Sequence, residues 1–183
     1  INEKHEISGM LIGIMRELKY ANAGNLQSSL PFRNLGVSGR FTYAFDGKYF
    51  SEFNFGYNGS ERFAKNERFG FFPSFGLGWY TSKENFMKSF SGLLSKLKFK
   101  ATYGLVGNDQ IGSSDDRFFY ISQVNLNTGA LGAPFGPEFG NFINGVSINR
   151  YANSQITWEK AEMLNLGVEI GLINRIEIQA DYF

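Results

Sequence analysis

The sequence predicts an all-β chain: a transmembrane antiparallel β-barrel, present as a partial arc of about seven strands. Three observations carry this. Large aromatic residues recur at every second position over long stretches, with small or polar residues between them. Several of these stretches are longer than the roughly 5–6 residues usual for a soluble strand. The connections between them alternate between short and long.

Composition sets the frame. In 183 residues there are 20 Phe and 22 Gly but only 4 Pro. The net charge of +1 offers no field for nucleic acid or an acidic partner. With no cysteine, disulfides and thiolate metal sites are excluded. The longest apolar run, Gly9 to Met15, is far short of the ~20 residues of a membrane helix. The first ten residues lack the basic and apolar segments of a signal peptide.

In chain order, a strand of mixed parity is expected around Glu6 to Met15. From residue 35, Leu35, Val37, Phe41, Tyr43 and Phe45 alternate with Gly36, Ser38, Arg40, Thr42 and Ala44. From Tyr49 to Gly59, Phe53, Phe55 and Tyr57 alternate with Glu52, Asn54 and Asn58. Keeping Phe45 and Tyr49 on one face requires a three-residue turn, Asp46-Gly47-Lys48, although Gly stands second rather than third. Phe69 to Trp79 continues the pattern, with Phe72 and Pro73 as exceptions. "TSKENFMKSF" reads as a short helix in which Thr81 and Glu84 form a capping box and Phe86 and Phe90 share a face. Leu97 to Leu105 and Leu164 to Leu172 alternate again. A second three-residue turn, Ile173-Asn174-Arg175, leads to a final strand carrying Ile176, Ile178, Ala180 and Tyr182.

Strand length points to the environment. Ten residues at ~3.3 Å each, tilted by about 45°, rise about 23 Å, close to the roughly 25 Å apolar band of an outer-membrane barrel. Aromatics gather at two levels: Tyr43, Phe45, Tyr49, Trp79 and Tyr80 at one, Tyr57, Phe69 and Phe71 at the other. These are the expected interfacial girdles, so lipid takes the place of a core. Short turns at 46–48 and 173–175 mark the periplasmic side, and long connections at 16–34 and 106–158 the outer side. An odd number of strands leaves two open edges, which is why an arc of a larger barrel is expected. Two other readings stay open. "RFFYISQVNL" at 117–126 supplies an eighth strand for a complete small barrel with an anchoring or adhesion role, or the same face is the interior of a soluble β-sandwich carbohydrate-binding module.

Three segments carry a family resemblance: "LPFRNLGVSGRFTYAFDGKYFSEFNFGYNGSERFAKNERFGFFPSFGLGWYTSKENF", "LKFKATYGLVGNDQIG" and "ITWEKAEMLNLGVEIGLINRIEIQADYF". The motifs Tyr103 to Asp109, Thr157 to Lys160 and Asn165 to Gly167 are the most specific. In this order they closely resemble the barrel region of SusC/RagA-type TonB-dependent receptors of Bacteroidetes. The resemblance implies a plugged barrel of about 22 strands in the outer membrane. It also implies import of glycans or peptides, a SusD-like surface lipoprotein as lid, and energy from the TonB complex. Residues 1–183 are then a fragment of the barrel domain without plug, signal peptide or TonB box, and Phe183 is a truncation point.

No residue is assigned to catalysis, to a cofactor or to a metal. His5, the single histidine, reads as a loop or strand-end residue rather than a triad member. Asp115-Asp116 reads as a solvated loop rather than a calcium ligand pair. "GLGWYT" from Gly76 lacks the third glycine of a dinucleotide fingerprint, and the glycosylation pattern at Asn58 has no weight in a bacterial outer membrane. Lys96, Lys98 and Lys100 are expected on the lumen face, either contacting the plug or simply making a polar lumen. Arg62, Lys65, Glu67 and Arg68 are expected to face water or lipopolysaccharide phosphates. The 106–158 loop, with "GAPFGPEFGNF" at Gly132 to Phe142, is the expected recognition element for sugar rings or for the lid. Its substrate-binding residues stay unassigned.

Overall fold

Residues 4–22, 29–112 and 117–183 are described by the structure, a computed structural model. Among these described residues nine strands follow in order: β1 (His5–Leu18), β2 (Phe32–Phe45), β3 (Tyr49–Ser60), β4 (Phe69–Trp79), β5 (Leu94–Asn108), β6 (Gln123–Phe135), β7 (Asn141–Arg150), β8 (Glu159–Leu172) and β9 (Ile176–Tyr182). Seven of them form one antiparallel sheet in the order β1-β2-β3-β4-β5-β8-β9, and β6 and β7 pair separately. The sheet is an open arc, with β1 and β9 at its edges.

Register explains the composition. One row of paired residues runs His5, Phe45, Tyr49, Trp79, Phe99, Val168 and Ala180 across the sheet. A second runs through Phe41, Phe53, Phe75, Tyr103 and Leu164. These side chains share a face because parity is kept across every ladder. That face is bare: Phe75 is 56% exposed and Leu77 66% exposed. Among the described residues no second layer covers it, so the sandwich reading, which needs these aromatics inside, does not hold. The expected girdle is a physical row, with Tyr57 stacked on Phe69 at the other end at 5.2 Å.

Both tight turns are found where expected, and their backbone resolves the misplaced glycine. Asp46 and Gly47 both have positive φ (53° and 60°), and the Lys48 N–H donates to the Phe45 carbonyl. This is a type I′ Asp-Gly turn followed by one extra residue, so glycine belongs second. Ile173 and Asn174 repeat that geometry at φ 50° and 55°.

Three expectations are corrected. "TSKENFMKSF" forms two 3-10 turns, Thr81–Lys83 and Asn85–Phe90, and no capping box: Glu84 is extended (ψ 150°) and its carboxylate is drawn away to Tyr49 and Trp79. "RFFYISQVNL" supplies no wall strand, because 117–122 is irregular and β6 pairs with β7 instead of the sheet. Among the described residues β1 and β9 lie at opposite edges of the sheet, and no closed eight-stranded barrel forms. The 106–158 connection is therefore not a plain loop but carries a hairpin arm. Its strands are interrupted by register shifts between Asn125 and Ala133, where small residues and Gly129 and Gly132 allow bulges.

Candidate functional site

The face opposite the aromatics carries the polar chemistry. Gly76 and Gly78 on β4 leave a groove of about 650 Å³ between Phe50 and Glu52 on β3 and Lys98, Lys100 and Thr102 on β5. Glycine keeps the groove open there: a Cβ on Gly78 would fill space up to van der Waals contact with Phe50, and one on Gly76 up to contact with Thr102. The larger depression, about 930 Å³, lies on the apolar face between Tyr49, Trp79, Leu166 and Tyr182.

The three lysines stand on the polar face but are not a free positive stripe. Lys96 and Lys100 each approach Glu169 to 2.9 Å, and Asp181 lies 3.8 Å from Lys100. Lys98 instead lies over the Phe50 ring at 5.0 Å. On the neighbouring strands, Arg40 Nε donates to Asn54 Oδ1 at 2.8 Å while Asn54 Nδ2 donates to Glu52. The polar face is thus a set of compensated charges, suited to hydroxyl and amide ligands that exchange hydrogen bonds without a net charge.

The end that carries the long connections is held by a buried knot, and two of the family-bearing motifs, Tyr103 to Asp109 and Thr157 to Lys160, meet in it, while Asn165 to Gly167 lies in mid-β8. Phe63, Phe72 and Trp158 form its core, with Leu105, Ile111 and Ile156 packed around them. Phe72 keeps the β4 parity but breaks its alternation of residue types: its even position turns the ring to the polar side, where Gly70 and Gly107 make room, since a Cβ on either would strike it. Trp158 Nε1–H donates to the Arg68 carbonyl (3.0 Å), and Thr157 Oγ1–H donates to that of Glu67 (3.2 Å). Asp109 accepts from Ser60 Oγ (2.7 Å) and Asn34 Nδ2 (3.2 Å), and Asn108 Nδ2 donates to Glu159 (3.0 Å). Four loops and strand ends are therefore tied at one point.

A second clasp fixes the base of the hairpin arm. Arg117 lies over the rings of Tyr20 (5.3 Å) and Phe32 (5.2 Å), and Arg62 lies over Phe32 at 5.4 Å. Arg150 lies over Phe119 (4.8 Å) and donates to the Arg117 carbonyl (2.9 Å). Arg62 is buried, contrary to the expectation that it faces water, because its guanidinium packs on Phe32 beneath the loops. Lys65 is exposed as expected, and Arg68 is partly exposed.

Beyond the clasp the arm is almost uncharged: Glu138 is the single charged residue between 118 and 149. Val124 pairs with Ile148, and both are exposed, as are Leu126, Phe139, Phe142 and Val146. Asn125 opposes Ser147, and Thr128 hydrogen-bonds Ser147 at 2.8 Å, so one side is polar and the other apolar. The signal for the arm was present in the alternation of Val124 and Leu126 with Asn125 and Asn127, but Gly and Pro around 129–140 masked it.

Of the residues weighed as chemistry candidates, His5 sits at the start of β1, bonded to the Tyr43 hydroxyl at 2.9 Å and beside Phe45. Asp115 and Asp116 lie outside the described residues. Gly76 lies in mid-strand, and Asn58 lies near the outer end of β3.

No family model matches the chain. Among curated proteins it is 34% identical over 150 residues to TonB-dependent receptor SusC of Bacteroides thetaiotaomicron, and 33% identical over 150 residues to TonB-dependent receptor P3 of Formosa agariphila. Each alignment covers 81% of this chain, and the chain spans 14% of the length of either relative. The solved structure of the RagAB peptide transporter superposes with a TM-score of 0.73 at 24% identity, covering 99% of this chain and 21% of that one. The "open-open" state of the RagAB peptide importer gives 0.72.

Proposed function

Because the chain belongs to the TonB-dependent receptors of the SusC/RagA type, we propose that it is one arc of the barrel wall of an outer-membrane nutrient importer. The observation that carries this is the open seven-stranded sheet, with one face of bare Phe, Tyr, Leu and Ile and two unpaired edges. In water such a face and such edges are aggregation sites; in a completed barrel the face meets lipid and the edges meet further strands. The polar face then lines the lumen, and the knot and arm belong to the extracellular side.

In this reading the cargo is a glycan or a peptide, in keeping with a lumen of compensated charges. The arm contributes to a surface shared with a SusD-like lipoprotein, and energy comes from the TonB complex acting on the whole receptor. The arc itself has no catalytic role and no nucleic-acid partner.

Cysteine scanning in the full-length receptor, made cysteine-free where needed, tests this. Single cysteines at Phe53, Phe75, Leu77 and Ala101 should resist a water-soluble maleimide in intact outer membranes, whereas Glu52, Lys98, Lys100 and Thr102 should react. Equal labelling of both sets, or labelling of only the first, would remove the membrane-wall reading.

A further inference from the structure

We propose that the connection between β4 and β5 is a membrane foot, which lies along the periplasmic leaflet of the outer membrane and inserts Phe86, Phe90 and Leu93 among its phospholipids. The inference rests on the outer-membrane reading and goes beyond it by giving this turn a surface and an occupant.

The connection is unlike the other inner turns. Asp46-Gly47-Lys48 and Ile173-Asn174-Arg175 are short and polar at their tips, whereas residues 80–93 join β4 to β5. From Asn85 to Leu93 the single charged residue is Lys88. Phe86, Phe90 and Leu93 are 63%, 59% and 65% exposed. Loops that face water are ordinarily polar, and large bare side chains gathered in one turn mark a surface that an apolar medium covers.

The wall decides which medium that is. Tyr49 and Trp79 stand in the inner girdle of the apolar face, and both donate to Glu84 Oε1, at 2.6 Å and 3.3 Å. The head of the segment is thereby hooked beneath the face that meets lipid. Its tail returns to the same face, where Leu94 is paired with Leu172 and Leu172 with Ile176. The Ile173 N–H donates to the Leu93 carbonyl at 2.9 Å and fixes that end. Between these two points the segment borders the apolar face, and its bare side chains extend that face past the girdle.

A segment enters the interface only with its backbone polar groups occupied. The two 3-10 turns provide for this. The Met87 N–H donates to the Glu84 carbonyl (3.1 Å) and the Leu93 N–H to that of Phe90 (3.0 Å). The Ser91 N–H and hydroxyl both donate to the Lys88 carbonyl, at 3.3 Å and 2.8 Å. Lys83 Nζ donates to the Gly47 carbonyl and the Leu97 N–H to Ser82 Oγ, each at 3.0 Å, which pins the start of the segment to the strand ends. Lys88 has a stem long enough to lie with the phenylalanines while its ammonium stays at headgroup level. With a single cation in the inserted stretch, apolar area drives insertion, and a zwitterionic phospholipid suffices.

Spin labels on single cysteines test the foot in a cysteine-free full-length receptor reconstituted in phosphatidylcholine vesicles. Two relaxing agents are compared: oxygen, which concentrates in hydrocarbon, and a water-soluble nickel chelate. Labels at Phe86→Cys, Phe90→Cys and Leu93→Cys should relax more strongly with oxygen, and a label at Lys65→Cys, in the opposite loops, more strongly with nickel. In the Phe86→Ser/Phe90→Ser background the label at Leu93→Cys should lose its oxygen preference. Nickel preference at the three foot positions, exclusion of both agents from them, or an unchanged Leu93→Cys label in the double variant would overturn the proposal. Protection from nickel in native outer membranes but not in the vesicles would also overturn it, in favour of a periplasmic protein docked on the same residues. A label at Phe75→Cys separates the foot from the wall. Oxygen preference there leaves the wall reading standing whatever the foot does, and nickel preference there overturns the wall reading itself.

Discussion

Trp158 stands edge-on to Phe72, ring centres 5.2 Å apart at 61°, although the two lie on different sheet strands or their approaches and far apart in sequence. Phe63 completes the contact at 5.6 Å from the indole. This is the described chain's one core of fully or nearly fully buried aromatics away from the arm's clasp, so the outer rim hangs on it.

Replacing Trp158 should therefore loosen the rim before the wall. Trp158→Ala removes a buried indole and leaves the Arg68 carbonyl without its donor, a loss of about 3–5 kcal/mol. Trp158→Phe keeps most of the packing and should cost about 1 kcal/mol. The check is limited proteolysis of the full-length receptor, with cleavage between 109 and 157 rising in the alanine variant. Unchanged cleavage in both variants would show that the knot does not brace the arm.

A charge on the bare face should be far more harmful than one on the opposite face. Phe75 lies in mid-strand, flanked by Phe53 at 4.8 Å, and Phe75→Arg should destabilise the inserted receptor by about 2–4 kcal/mol. Thr102→Arg, exposed on the polar face, should change stability little. Heat-modifiability on gels reads the difference, and similar melting of the two variants would contradict the assignment of faces.

How much of this was legible depends on how local the cause is. Alternation along 35–45, 49–59 and 69–79 gave the wall strands, because period 2 is set residue by residue. Phe72 broke the pattern for a reason more than eighty residues away in sequence, the indole that receives its ring. Thr81 and Glu84 had the spacing of a capping box, yet Tyr49 and Trp79 on the wall outcompeted the local cap for the Glu84 carboxylate. Arg62 looked like a solvated loop charge, and only the return of the chain over Phe32 buries it.

The second tight turn carries strain that can be removed. Ile173 holds φ 50°, a region that β-branched residues strongly disfavour, where the equivalent first turn has Asp46. Ile173→Asn should stabilise the receptor by about 1 kcal/mol, since Asn tolerates that backbone at little cost. The Arg175 N–H bond to the Leu172 carbonyl (3.0 Å) and the Ile173 N–H bond to the Leu93 carbonyl (2.9 Å) are made by backbone and survive the change. A lowered melting temperature would mean instead that the isoleucine side chain, 55% exposed, is held by lipid at the inner interface.

At the inner end, Glu84 gives the wall a defined response to acid. The Tyr49 hydroxyl donates to Glu84 Oε1 at 2.6 Å, Trp79 Nε1–H donates to the same oxygen at 3.3 Å, and Lys48 stands 3.6 Å from the other. The tyrosine hydrogen bond first, then that of the indole, hold the Glu84 carboxyl below its ordinary value of 4.5. A depressed folded value means the unfolded chain takes up the proton first. The contribution is therefore complete above 4.5 and is lost as pH falls through the folded value. Melting temperature measured against pH should show the wild type above Glu84→Gln at neutral pH, with the gap closing only below 4.5. Tyr49→Phe removes the strongest of these donors, so in that background the gap to the Glu84→Gln variant should be smaller and should finish closing at a higher pH than in the wild type. Parallel profiles for wild type and Glu84→Gln across the acid range would show that the carboxylate does not couple the 3-10 turns to the wall.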